Sequence, residues 1–168
     1  MGVIIRPVQI RDAENVLIHL EKCMDTYREQ LMTEADELTL TTAEEEKVIM
    51  DISESDLFLV AESEGEIIGT LTMSGLKRRK VSHVAVFGMA VQKEYTGGGT
   101  GGRLMEYMID FVSNHKTLCK IELEVFERNQ RAVSFYQNFG FKEEGRLKNH
   151  VKMDDMFQDL LVMGRYLN

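Results

Sequence analysis

The residues with the clearest chemical potential in this sequence are glycines. The segment Thr96-Gly97-Gly98-Gly99-Thr100-Gly101-Gly102-Arg103 holds five of them within eight positions. Because glycine has no Cβ, a ligand can approach the backbone closely, and free N–H groups there can bind an anion. The helical pattern that follows would add the positive end of a helix dipole. The segment therefore predicts a phosphate-binding turn.

Two established phosphate motifs fit this turn poorly. A P-loop needs Lys and then Ser or Thr after its last glycine, and Arg103 and Leu104 stand there instead. The dinucleotide pattern G-x-G-x-x-G is formally met, and Glu124, about 20 residues on, could serve as its ribose-binding acid. That pattern follows its strand directly, however, whereas residues 92–95 intervene here. A third interpretation is a cradle for the pyrophosphate of coenzyme A.

Regular elements on both sides must position the turn. Residues 81–91 carry the apolar and β-branched side chains of a strand, and residues 103–114 have helical periodicity. Upstream, Asp12 is a candidate N-cap, and Thr42 with Glu45 forms a candidate capping box. The other predicted elements are strands at 3–5, 57–61, 67–76, 120–126, 141–151 and 157–166, helices after Asp12, Thr42 and Asn129, and a weak or broken helix at 28–40.

The composition suits one soluble domain over residues 1–168, with 43% hydrophobic and 29% charged residues. A net charge of −8 argues against nucleic-acid binding and leans toward cationic small molecules. Cys23 and Cys119 form neither a disulfide framework nor a metal-ligand pattern, so a reducing cytoplasm is the simplest setting and no metal is expected. No apolar run approaches the ~20 residues of a membrane span.

Two charged stretches have competing interpretations. The acidic segment 27–41, which contains Glu29, Glu34, Asp36 and Glu37, is typical of a solvated surface, but it could also be a lid that attracts an amine. The basic run at residues 77–80 is typical of a solvated turn, and the alternative is a contact with a nucleotide phosphate.

Two motifs give the chain a family resemblance. The first is Val91-x-x-x-Tyr95-x-Gly97-x-Gly99-x-Gly101, and the second is Asn129-x-x-Ala132-x-x-Phe135-Tyr136-x-x-x-Gly140-Phe141. With both in this order, nearly the whole chain resembles the GNAT superfamily of acyl-CoA-dependent N-acetyltransferases. The resemblance implies an α/β fold of the α+β type, with a mixed, mostly antiparallel sheet flanked by helices. The central strand and strand 120–126 would be parallel and splayed apart.

The resemblance also implies acetyl-CoA as the cosubstrate. Its pantetheine arm would pair with the main chain of Met89, Ala90 and Val91, and Asn129 would bind the coenzyme or brace its helix. Similar proteins usually have Arg or Gln where Thr96 stands, and Arg103 is a candidate substitute. The pyrophosphate cradle would comprise Thr96, Gly97, Gly98, Gly99, Thr100, Gly101 and Gly102.

Catalysis would then be direct attack by a primary amine in a ternary complex. A substrate ammonium with a pKa near ~10.4 must first lose a proton. Relatives often place the base in the central strand, which makes His83 a candidate; Glu124 and an ordered water are rivals. Tyr136 is carried over as the acid that protonates the leaving thiolate and as a coenzyme contact. Cys119 has no evident base partner, so covalent catalysis is not expected.

The acceptor stays open at this point. A polyamine, an amino acid or a protein N-terminus would each supply the amine, whether as a small molecule or a peptide. Two alternatives of other classes are a non-catalytic acyl-CoA-binding sensor of the same fold and, more remotely, a nicotinamide-dependent oxidoreductase. The resemblance leaves the oligomeric state open, although homodimers are common among similar proteins.

Overall fold

One seven-stranded sheet runs through the protein, in the order β1-β2-β3-β4-β5-β7-β6. The computed structural model describes residues 2–167. The strands are β1 (Ile4–Pro7), β2 (Leu57–Ser63), β3 (Glu66–Gly75), β4 (Val84–Val91), β5 (Lys120–Phe126), β6 (Lys142–Met153) and β7 (Met156–Tyr166). The helices are α1 (Ala13–Thr26), α2 (Thr42–Met50), α3 (Thr100–Ser113) and α4 (Gln130–Asn138).

Both faces of the sheet are covered by helices. The larger core lies between the sheet and α3, whose Leu104, Met105 and Met108 are fully buried. On the opposite face, Val16 of α1 and Ile49 of α2 form a second cluster with residues of β2. Because successive side chains of a strand point to opposite faces, a strand covered on both sides is a continuous apolar run. This is the pattern of residues 57–61.

Strands β4 and β5 form the parallel pair of the sheet, and they separate part-way along. Their paired positions are Val84 with Lys120, Ala85 with Ile121, and Val86 with Glu122. Beyond these, β4 stays paired with β3 as far as Val91, and β5 stays paired with β7 to its end. The predicted mixed sheet with a splayed parallel pair is confirmed. The separation leaves backbone groups of β4 facing an opening.

The start of α1 differs from the prediction in its chemistry. Asp12 precedes the helix as expected, but its side chain makes no capping hydrogen bond to α1. Its carboxylate accepts hydrogen bonds from the Arg6 guanidinium at 2.7 and 2.9 Å and from the Gln9 N–H at 2.7 Å. The Arg6 hydrogen bonds hold the pKa of Asp12 below its ordinary value. A tertiary ion pair has taken the place of a local cap.

Two other helix starts are shifted from their predicted positions. The capping box of α2 is formed by Thr41 and Glu44, one residue earlier than predicted, with the Glu44 carboxylate accepting from the Thr41 N–H at 2.8 Å. Glu45, the predicted partner, is instead buried. Helix α3 begins at Thr100, not Arg103, so the last two glycines of the turn lie within its first turn.

Candidate functional site

The glycine turn follows the open end of β4 after the short connection at residues 92–95. Gly97 and Gly99 have φ angles of 83° and 85°, in the left-handed region that favours glycine. A Cβ built on either residue would have no neighbour within 4 Å, so the turn presents an open surface. Within residues 2–167, the N–H groups from Gly97 to Gly102 donate no hydrogen bond. A run of unpaired N–H groups at a helix start suits a pyrophosphate.

The two glycines inside α3 have a different role. A Cβ on Gly101 would lie 3.5 Å from the Phe135 ring and 3.6 Å from Met89 Cε, and one on Gly102 would lie 3.7 Å from the Phe139 ring. These are ordinary van der Waals distances, so the start of α3 lies against the aromatic side chains of α4. This contact couples the glycine turn to the helix that carries Tyr136.

Polar side chains near the turn are directed away from it. The Thr96 hydroxyl donates to the Lys93 carbonyl oxygen at 2.8 Å. Arg103, considered above as a substitute for a missing long donor, donates from Nη1 to the Val3 carbonyl oxygen at 2.7 Å. Backbone N–H groups are therefore what the turn offers to an anion.

Tyr136 lies on α4 against the point where β4 and β5 separate. Its ring meets Phe87, the first residue of β4 beyond the last β4–β5 pair, edge to face at 5.8 Å. Burial raises the pKa of Tyr136 to about 12. Its hydroxyl has no hydrogen-bond partner in the described chain and is not sealed from solvent. The group is a protonated donor held beside the opening.

Asn129 determines where α4 begins. Its side-chain oxygen accepts from the Ala132 N–H at 3.2 Å, which is an N-cap interaction. At the other end, Gly140 has a φ of 81° and ends the helix as predicted. Asn129 thus braces the start of the helix that carries Tyr136.

A buried histidine lies behind β4 and was missed by the sequence analysis. His19 is fully buried on α1, with Nε2 3.3 Å from the Thr70 hydroxyl and Nδ1 3.5 Å from the Gln92 amide nitrogen. Burial is the main cause that lowers the pKa of His19 to about 4. Its position between Val16 and Cys23 on the apolar stripe of α1 was the available sequence signal.

His19 and Cys23 are neighbours, but both are neutral. The Cys23 sulfur lies 3.8 Å from His19 Nε2, a spacing that invites comparison with a nucleophile and its base. Burial raises the pKa of the Cys23 thiol to about 11 and lowers that of the imidazole. A thiolate–imidazolium pair needs the opposite shifts. The two side chains therefore do not act as a nucleophile and its base near neutral pH.

A cavity of about 200 Å³ opens on the α1 face of the sheet, directly beside β4. Its floor consists of strand residues from β3 and β4, and its walls come from α1 and from the segment after it. The lining residues are Leu20, Cys23, Met24, Leu31, Met32, Thr33, Phe58, Thr70, Thr72, Gly88, Met89 and Ala90. The cavity and the glycine turn therefore share β4 as a common element.

Comparison with known proteins identifies this arrangement. Residues 19–141 match the family model described as the acetyltransferase (GNAT) family. The chain belongs to the GNAT family. The predicted family and enzyme class, an acyl-CoA-dependent N-acetyltransferase, are confirmed.

Relatives of this GNAT chain agree in fold. An L-amino acid N-acetyltransferase of Escherichia coli is 35% identical over 64% of this chain and 66% of its own length. A GNAT-family acetyltransferase of Streptococcus pneumoniae has a TM-score of 0.94 at 26% identity, covering 99% of this chain and 100% of that one. A Salmonella typhimurium acetyltransferase, solved with its cofactor acetyl-CoA, has a TM-score of 0.86 at 14% identity, covering 100% and 95%.

The two predicted base candidates of the GNAT chain lie in different places. His83 precedes β4, and its carbonyl accepts from Cys119 and Lys120 at the closed end of the β4–β5 pair. Three strand residues lie between His83 and Phe87, and four residue steps of extended chain span about 13 Å. Glu124 lies on β5 beyond the separation, exposed and on the α1 face. The structure brings Glu124, and not His83, to the open end.

No charged side chain of the acidic segment 27–41 or of the basic run 77–80 lines the cavity. Of the acidic segment 27–41, only Leu31, Met32 and Thr33 line the cavity. The basic run at residues 77–80 joins β3 to the start of β4, at the opposite end of that strand from the glycine turn. Within residues 2–167, no group of three or more His, Cys, Asp or Glu side chains could hold a metal, and no helix could span a membrane.

Proposed function

We propose that this GNAT protein transfers the acetyl group of acetyl-CoA to a primary amine. The observation that carries the proposal is the separation of β4 from β5, with unpaired backbone on β4, the glycine turn at the end of that strand and Tyr136 beside Phe87. A slot of this kind suits a thin, extended ligand with an anionic group at one end.

Acetyl-CoA would supply an activated thioester. The free N–H groups of residues 97–102 suit its pyrophosphate, because they require no rearrangement to donate. The main chain of Met89, Ala90 and Val91 borders the opening and is suited to pair with the amide groups of the pantetheine arm. A backbone N–H near Met89 would stabilise charge that gathers on the carbonyl oxygen.

Proton transfers are assigned to two side chains on opposite faces of the sheet. Tyr136, protonated at neutral pH because burial raises its pKa to about 12, would give its proton to the departing thiolate. Glu124, exposed on the α1 face, would accept a proton from the incoming ammonium, directly or through a water. His83 is the weaker candidate because it lies at the closed end of the strand pair.

Direct attack is favoured over an acyl-enzyme. Cys23 is the cysteine beside the cavity, and its raised pKa of about 11 keeps it a thiol. Since the thiolate is the nucleophilic form, Cys23 is poorly suited to accept an acetyl group. The amine would therefore attack the thioester itself, from the cavity on the α1 face. The Escherichia coli relative of this chain is named an L-amino acid N-acetyltransferase, which supports an amine acceptor of about the size of an amino acid.

The test is release of free coenzyme A thiol by the purified protein with acetyl-CoA and a panel of amines, with N-acetylated products identified by mass spectrometry. Acceptor-dependent thiol release with a matching product is the expected result. Binding of acetyl-CoA without transfer to any amine would instead favour a non-catalytic acyl-CoA-binding module. Binding of a nicotinamide nucleotide in preference to either CoA species would contradict the proposal at its first step.

A further inference from the structure

The cavity beside β4 has a polar edge and an apolar wall. Thr70 and Thr72 of β3 lie cross-strand from Ala90 and Gly88 of β4, so their hydroxyls border the strand that would hold the thioester. The wall opposite is mostly hydrocarbon and thioether, from Leu20, Met24, Leu31 and Met32, with the Cys23 thiol and the Thr33 hydroxyl among them. Phe58 of β2 adds an apolar ring on the sheet side, next to Thr72.

The lining of this cavity carries no charge near neutral pH. All of its lining residues lie in the described part of the chain, and none is Asp, Glu, Lys, Arg or His. Cys23 is the one ionisable side chain among them, and its raised pKa of about 11 keeps it neutral. A second ammonium group entering such a cavity would lose hydration without gaining a counter-charge.

Two carboxylates of the acidic segment 27–41 are engaged in local contacts, and the candidate base Glu124 is outside the cavity lining. Glu34 pairs with Arg28 at 3.3 Å, and the Glu37 carboxylate accepts from the Glu34 N–H at 2.8 Å, which closes a short helical turn. A second hollow, of about 260 Å³, does contain Glu14 and Glu21. It lies between α1 and residues 35–42, and no residue of β4 lines it.

We infer that the acceptor is an amine that carries an uncharged, apolar side chain, such as the α-amine beside a leucine-like group. This inference rests on the proposed acetyl transfer and specifies its second substrate. The amine would lie at the threonine edge, next to Gly88 and Ala90, while the side chain fills the apolar wall. The volume and polarity of the cavity, and not the acidity of the chain, would then select the substrate.

The first experiment compares kcat/KM for L-leucine, its near-isostere L-asparagine, and spermidine. Leucine should exceed asparagine by about 10–200-fold, the range that hydrophobic pockets reach for such small differences. Equal or better rates with asparagine or spermidine would overturn the inference. L-leucinamide and leucyl-glycine, added to the panel, distinguish a free amino acid from a peptide N-terminus as the source of the amine.

The second experiment changes the wall. Leu31→Asp places a carboxylate in the cavity, on a loop whose other residues are mostly polar, and Met32→Gln is a milder companion at an exposed position. Each should lower kcat/KM for leucine, the former by at least about tenfold, with acetyl-CoA affinity and melting temperature retained. Glu29→Gln, in the same loop but outside the lining, is the matched control. Unchanged leucine kinetics in Leu31→Asp would overturn the assignment of the wall.

A failure of the proposed transfer is distinguishable from a failure of the acceptor class. If acetyl-CoA binds and no amine is acetylated, the proposed function is contradicted. Saturation-transfer NMR on the CoA-bound protein then tests the cavity without turnover, using L-leucinamide and L-asparaginamide as probes. Preferential binding of leucinamide, lost in Leu31→Asp, supports an apolar acceptor site. Equal binding of the two amides overturns it.

Discussion

At the scale of single residues, burial determines which groups near the site are charged. Tyr136, Cys23 and His19 can each ionise, yet burial is the first cause of the pKa shift for all three. The shifts leave a phenol, a thiol and a neutral imidazole near pH 7. The candidate proton donor is therefore kept in its donating form, and the candidate nucleophile is kept inactive.

Substitution of Tyr136 by Phe tests the acid assignment. The change keeps the ring packed against Phe87 while removing the hydroxyl, so stability and acetyl-CoA affinity should change little. Because positioned acids typically contribute about 10²–10⁴-fold, kcat should fall by that order. Tyr107→Phe, at an exposed position on α3, is the matched control. Full turnover in Tyr136→Phe, under conditions where chemistry limits the rate, would leave Tyr136 as a packing residue only.

His19 predicts a specific pH dependence of stability. Its folded pKa of about 4 lies below the ordinary value of 6.5, so between these values the unfolded chain binds more protons. Stability should therefore be fully present above pH 6.5 and decline as the pH falls toward 4. The expected loss is about 2 kcal/mol by pH 5, at about 1.4 kcal/mol per pKa unit.

Urea unfolding of the wild type and His19→Gln across this pH range measures the effect. The variant cannot titrate at position 19, so its stability should be lower at neutral pH but flatter toward pH 5. The Lys22–Glu66 ion pair is the charged neighbour of the ring and is common to both proteins, so its contribution cancels in the difference. If the free energy of unfolding changed with pH in the same way for both proteins, the pH dependence could not be assigned to His19.

At the scale of elements, the glycine turn contains two kinds of position that look alike in the sequence. Gly97 and Gly99 adopt positive φ and leave open space above the backbone, whereas Gly101 and Gly102 lie against the aromatic side chains of α4. The first pair is open to the proposed ligand, and the second pair lies in the contact between α3 and α4. The sequence predicted the glycine turn because backbone freedom is a local property, and its anion site stays a prediction.

Gly99→Val should abolish acetyl-CoA binding, because a branched side chain would occupy the open space of the cradle and disfavour the φ of 85°. Gly65→Val is the matched control: its φ is 83°, its surroundings are equally open, and it lies in the β2–β3 hairpin. Both variants should lose comparable stability, but only Gly99→Val should lose affinity in calorimetric titration. Retained affinity in Gly99→Val would remove the turn from the binding site.

Elements were easier to predict from the sequence than their exact starts and their partners. Periodicity located all four helices, since amphipathic patterns are local. The cap at Asp12 was mispredicted because Arg6 competes for the same carboxylate. The His19 cluster could not be predicted, because its partners lie 51 and 73 residues away along the chain. Burial against such distant residues, and not local pattern, decides its chemistry.

At the scale of the whole molecule, the residues implicated in chemistry come from distant parts of the chain and meet at one strand. Strand β4 contributes backbone to the opening, leads into the glycine turn, contacts Tyr136 through Phe87 and floors the cavity through Gly88. The splayed strand order was predicted only through the family resemblance, because pairing between distant strands leaves no local pattern that can be recognised in one sequence. Given that order, the position of the site at the open end follows.

A ligand that joins these parts should stabilise the entire fold. If acetyl-CoA binds the turn, β4 and α4 together, it binds only the folded state. At a concentration 100 times its Kd it would raise the free energy of unfolding by about 2.7 kcal/mol. For a chain of this length, about 2–4 °C per kcal/mol gives a rise in Tm of about 5–10 °C. Thermal-shift titrations with acetyl-CoA, CoA, NAD and ATP measure the rise.

Acetyl-CoA and CoA should both produce it, because they share the pyrophosphate and the pantetheine arm. A clear rise in Tm with NAD and none with either CoA species would contradict the acetyl-CoA site, because the turn would then bind a dinucleotide.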